Sequence, residues 1–65
     1  MKASDKMKIN SCVASGLIKR NGELYVLFPW AFPSRGEYDA LIRIMQEHYD
    51  FSVTEDGVVA VPKAE

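Results

Sequence analysis

"SCVASGLIKRNGELYVLF", residues 11–28, decides how the rest of this 65-residue chain is read. Asn21-Gly22 stands between two apolar runs, a strong mark of a β-hairpin. Loop length then fixes which side chains share a face, because a slip of one residue turns every side chain over. A two-residue Asn21-Gly22 loop pairs Arg20 with Glu23 and leaves both faces mixed. A three-residue loop, Arg20-Asn21-Gly22, pairs Lys19 with Glu23. It gathers Cys12, Ala14, Gly16, Ile18, Leu24, Val26 and Phe28 on one apolar or small face, so it is the expected one. The first strand then runs back through Cys12, and Val13, Leu17, Tyr25 and Leu27 fall on the opposite face.

The same test applies to "TEDGVV", residues 54–59. A three-residue loop, Glu55-Asp56-Gly57, puts Phe51, Val53, Val59 and Val61 together, whereas an Asp56-Gly57 loop splits the valines. Between the two hairpins, Ser34 and Glu37 have the spacing of a capping box. Tyr38, Leu41, Ile42, Met45 and Tyr49 follow at helical spacing, predicting a helix over about residues 34–49. In "FPWAFP", residues 28–33, Pro29 ends the second strand. Pro33 fixes the approach to the helix, and Phe32 or Pro33 is placed to pack on Tyr38. Trp30 either helps plug the core or projects to anchor a partner.

The expected fold is therefore α+β in the order β-β-α-β-β. Two antiparallel hairpins form one sheet, and a single helix packs on one face. The whole chain, 1–65, is expected to be one small domain, with flexible ends at residues 1–6 and 63–65.

Composition narrows the function. The chain is 48% hydrophobic and 26% charged, an ordinary globular balance that argues against disorder. One cysteine excludes an internal disulfide, and small secreted domains usually need disulfides, so a cytoplasmic location is expected. The first ten residues have no apolar h-region of a signal peptide, and no apolar run reaches membrane-spanning length. Net charge is −1, but residues 1–36 carry six Lys/Arg against two acids while residues 37–65 carry two against seven. That asymmetry gives the chain a basic first hairpin and an acidic second half.

Nothing in the sequence builds a catalytic site, a cofactor site or a metal site. Cys12 has no base or cation among its neighbours in "SCVAS" and is expected in the core. His48, the only histidine, is expected half-buried at the edge of the helix stripe, without the converging ligands a metal needs. The chain is not expected to be an enzyme.

The remaining feature is the face opposite the core in the first hairpin. A single helix covers one side of a sheet, so Val13, Leu17, Tyr25 and Leu27, with Trp30, are expected to form an exposed apolar surface that binds a partner. The chain is accordingly expected to be a protein-binding module, an inhibitor or regulator of a larger protein or nucleoprotein complex. In size and lack of motifs it resembles the small accessory proteins that phages and mobile elements use against host systems, anti-CRISPR proteins among them. That resemblance is one of class and rests on no particular residues. The alternatives are a nucleic-acid-binding regulator using the basic first hairpin, and a homodimeric structural subunit joined through the outer sheet face.

Overall fold

The computed structural model describes residues 2–63. It is α+β, as expected, but its order is α-β-β-α-β-β. Helix α1 spans Ala3–Ala14, β1 Ile18–Asn21, β2 Leu24–Leu27, α2 Arg35–Met45, β3 Tyr49–Thr54 and β4 Gly57–Pro62, with a short 3₁₀ turn at Pro29–Ala31 before α2.

Helix α1 is the first departure from the sequence reading. Residues 3–6, expected in a flexible end, form its first turn, and Cys12 and Ala14 are helical instead of lying in a strand. Of the remainder of the two expected flexible ends, Lys2 and Lys63 directly flank α1 and β4, and Met1, Ala64 and Glu65 lie outside the described residues. Ile9, Cys12 and Val13 stand at i, i+3 and i+4, so one narrow stripe is buried. Asp5 in the first turn favours the positive helix end. The helix stops because Gly16 takes a φ of +78°, which costs glycine nothing. The Gly16 amide donates to the Val13 carbonyl and the Leu17 amide to the Cys12 carbonyl. This is the Schellman pattern, and it satisfies the last carbonyls of the helix. Gly16 is thus a helix terminator, and the described residues hold two α-helices where one helix was expected.

The four strands form one antiparallel sheet in the order β1-β2-β4-β3. Both hairpin loops have two residues. Asn21 pairs with Leu24 around Gly22-Glu23, and Thr54 pairs with Gly57 around Glu55-Asp56. Gly22 sits at the first central position with a φ of +62°, as a type II′ turn requires. At the other hairpin the Thr54 hydroxyl donates to the Gly57 carbonyl at 2.9 Å.

These loops turn β2 and β4 over relative to the prediction, while Ile18 of β1 and Phe51 and Val53 of β3 keep the predicted side. One row across the sheet is Ile18, Leu27, Val58 and Val53, and the next is Arg20, Tyr25, Ala60 and Phe51. Ile18, Leu27 and Ala60 from these rows form the core with Ile9 and Cys12 of α1 and Leu41 and Met45 of α2. Both helices therefore cover the same face. The row on the other side is Lys19, Val26, Val59 and Ser52.

Helix α2 begins where the sequence places it. The Ser34 hydroxyl accepts from the Glu37 amide at 3.3 Å, and the Phe32 ring meets Tyr38 edge-on at 5.2 Å between centroids. The Glu37 carboxylate does not close a capping box on Ser34. It accepts from the Lys8 ammonium of α1 at 3.3 Å, an exposed pair that contributes little to stability. The helix ends at Met45, and Tyr49 belongs to β3, not to the helical stripe.

Candidate functional site

The surface expected to bind a partner does not exist in the form the sequence suggested. Leu27 has no exposed area at all, and Val13, Leu17 and Tyr25 are partly buried against the core. The two-residue loop turns Leu27 and Tyr25 towards the helices, while Val13 and Leu17 belong to α1 and its C-terminal turn. Of the five residues only Trp30 projects, with 70% of its surface exposed.

An open apolar face is nevertheless present, and it is the opposite one. The two central strands supply its aliphatic residues: Leu24 and Val26 from β2, Val59 and Val61 from β4. The register puts Val26 beside Val59. Leu24, Val26 and Val59 are partly buried but, unlike Val13, Leu17 and Tyr25, do not pack against the core, and Val61 is 43% exposed. The edge strands supply polar residues on the same side. Val26 pairs with Lys19 and Leu24 with Asn21 on β1, while Val59 pairs with Ser52 and Val61 with Asp50 on β3. An aliphatic centre with a polar rim is the anatomy of a protein–protein interface.

At one end this face runs on into the Phe28–Ala31 segment. The Phe28 ring lies beside Gly57, close enough that a Cβ there would touch its Cδ1. Trp30 packs on Phe28 with ring centroids 5.7 Å apart and planes tilted by 46°. The two prolines of "FPWAFP" bracket this arrangement. Pro29 opens the 3₁₀ turn that lifts Trp30 out, and Pro33 precedes the cap of α2. The aromatics of this stretch are divided: Phe32 plugs the α2 end of the core, and Trp30 is presented to solvent.

The opposite side of the molecule carries a cleft of about 440 Å3 between α1 and the start of β3. Lys6, Asn10, Tyr25, His48, Tyr49 and Lys63 are on its walls. Tyr25 and Tyr49 meet edge-to-face at 5.8 Å. Burial, then the neighbouring Tyr25, push the Tyr49 phenol above its ordinary range, while Arg20 pulls it back. His48 is exposed in the turn after α2, a correction to its expected half-buried place on the helix. A second, smaller groove of about 350 Å3 lies beside Pro29, Phe32, Arg35 and Tyr38.

Cys12 is buried, and burial raises its thiol, with Lys8 opposing and Glu37 adding to the shift. A thiol held protonated in this way is a small apolar core group. Among the described residues no three His, Cys, Asp or Glu side chains converge on a point that could hold a metal ion. No helix among them is long and apolar enough to cross a membrane. No family model matches the chain, no curated protein matches it in sequence, and no solved structure matches it.

Proposed function

We propose that this protein is a non-enzymatic protein-binding module that meets its partner with the uncovered face of its sheet. One observation carries the reading: the face with no helix on it holds an aliphatic patch, Leu24, Val26, Val59 and Val61, on its two central strands. Such a patch is costly in water and gains when a partner covers it. Trp30 stands at its end as a large, exposed aromatic of the kind that dominates binding energies. The partner is another protein or nucleoprotein complex, and docking occludes the surface it lands on, so the module regulates or inhibits a larger assembly. A phage or mobile-element role against a host system, in the reducing cytoplasm where Cys12 stays a thiol, agrees with the small size and the single cysteine.

The alternative through nucleic acid and the basic first hairpin draws less support from the geometry. Lys19 and Arg20 point to opposite faces of the sheet and so do not make one basic surface. Self-association through the same aliphatic face is the competing protein reading, and one variant separates the two. Val59→Asp places a charge at the centre of the open face without touching the core. It should weaken partner binding by roughly thirtyfold or more, since a hot-spot position costs about 2 kcal/mol or more. If sedimentation instead finds a wild-type dimer that Val59→Asp dissociates, the face serves a second copy. No effect on either measurement, with the fold intact by circular dichroism, would remove the face from the account.

A further inference from the structure

The cleft on the helix side lies away from the open sheet face, and its chemistry is different. Lys6 and Asn10 stand one turn apart on α1, above the buried Ile9. The Lys63 amide donates to the His48 carbonyl at 3.0 Å, which ties the end of β4 to the turn after α2 and keeps these two side chains on one wall. Between the walls lies the Tyr25–Tyr49 pair. Two lysines and an imidazole line this cleft, and among the described residues no carboxylate does. Arg20, the register partner of Tyr25, lies close enough to act on the Tyr49 phenol. The site is therefore electropositive at its rim and aromatic in its floor.

From this juxtaposition we propose that the cleft binds a nucleotide, with the phosphate between Lys6 and Lys63 and the base on the Tyr25–Tyr49 pair. Lysine ammonium groups are common phosphate partners. Tyrosine faces accept any base by stacking, which makes such a floor tolerant of sequence. The Asn10 amide offers both a donor and an acceptor to a base or sugar edge. The cleft volume falls in the range of small-ligand sites, about 300–1,000 Å3. A simple anion would use the lysines and leave the tyrosines idle. An uncharged ring would do the reverse. A nucleotide uses both.

The nucleotide reaches the cleft either free or as one unit of a single strand, and titration calorimetry with four probes addresses both. Adenosine monophosphate should bind at least about tenfold more tightly than adenosine or inorganic phosphate, because each of those lacks one half of the contact. The exposed pair Lys6→Ala/Lys63→Ala should keep its melting temperature and lose about tenfold or more in affinity for adenosine monophosphate. Amide shifts on binding should centre on residues 6, 10, 48 and 49. A short oligothymidylate that binds more tightly than the mononucleotide, with the same loss in the double variant, assigns the site to a strand. Equal binding assigns it to the free nucleotide. The proposal is overturned if adenosine monophosphate does not bind at millimolar concentration. It is also overturned if phosphate alone binds as well, or if the double variant binds undiminished. None of these results depends on the sheet face, so the two sites stand or fall separately.

Discussion

Leu27 and Val26 are neighbours in the chain and lie on opposite faces of the sheet, so truncating each to alanine tests which face is the core. Leu27 is completely buried between the sheet and both helices. Leu27→Ala removes three carbons from a site with no solvent to fill the space, and such changes cost about 2–5 kcal/mol. At about 0.05–0.15 kcal/mol per residue, a domain of this length has roughly 3–10 kcal/mol to lose. The variant should therefore sit near the limit of folding. Its melting temperature should fall by more than about 10 °C, at about 4–8 °C per kcal/mol for a small domain. Val26 is half-exposed on the open face. Val26→Ala gives up less than two fully buried methyl groups, about 1 kcal/mol or less. Equilibrium urea unfolding of both variants, followed by circular dichroism, reads the difference as a shift in midpoint at constant slope. The reasoning fails if Val26→Ala is as damaging as Leu27→Ala, because the sheet would then be turned over relative to the helices.

Two further outcomes follow from the backbone and from buried titratable groups. Gly57 has a φ of +138°, and a Cβ there would fall against the Leu27 carbonyl, closer than real Cβ contacts come. Gly57→Ala should cost about 2–4 kcal/mol in strain and displaced backbone, whereas Gly22→Ala, with a φ of +62° but open space around it, should cost only about 1 kcal/mol. Equal melting temperatures for the two would contradict this. Burial raises the Tyr38 and Tyr49 phenols and the Cys12 thiol in the folded state. Their contribution is complete below the ordinary thiol range. Stability should then fall as pH rises from about 8.5 through 10 and above, because the unfolded chain loses these protons first. Tyr49→Phe should flatten the alkaline part of a urea-midpoint profile, and an unchanged slope would remove that phenol as a cause.

Much of the fold was legible in local chemistry. Ser34 and Glu37 mark the start of α2, Phe32 and Tyr38 form the predicted contact, and two glycine-bearing turns mark the hairpins. Helix α1 was hidden because residues 9–18 fit two periods at once. Cys12, Ala14, Gly16 and Ile18 alternate like a strand, while Ile9, Cys12 and Val13 have helical spacing. The signal that separates them is Gly16 followed by Leu17, a helix stop with an apolar residue after it. In each hairpin one strand, β2 or β4, lies the other way up from the sequence reading, for a related reason. A three-residue loop in each hairpin gathers the most aliphatic residues on one face, and the most aliphatic face reads as the core. The assignment gathered Leu24, Val26, Val59 and Val61, which the helices leave uncovered. The buried side accepts Arg20 at its edge and the small Ala60 at its centre. Failures of hydrophobic patterning concentrate where function overrides folding, and here the mismatch marks the proposed interface. Sequence alone leaves Trp30 between two roles, and its exposure favours the projecting one.

The most direct test of that interface is site-specific photo-crosslinking in the cells that express the protein. A benzophenone side chain placed at Val26, Val59, Val61 or Trp30 should trap one and the same partner. The same group at Asp39 or Gln46, exposed residues at α2, should trap none. A partner caught from Asp39 or Gln46 and never from the sheet positions would contradict the account, and would place the binding surface on the helices.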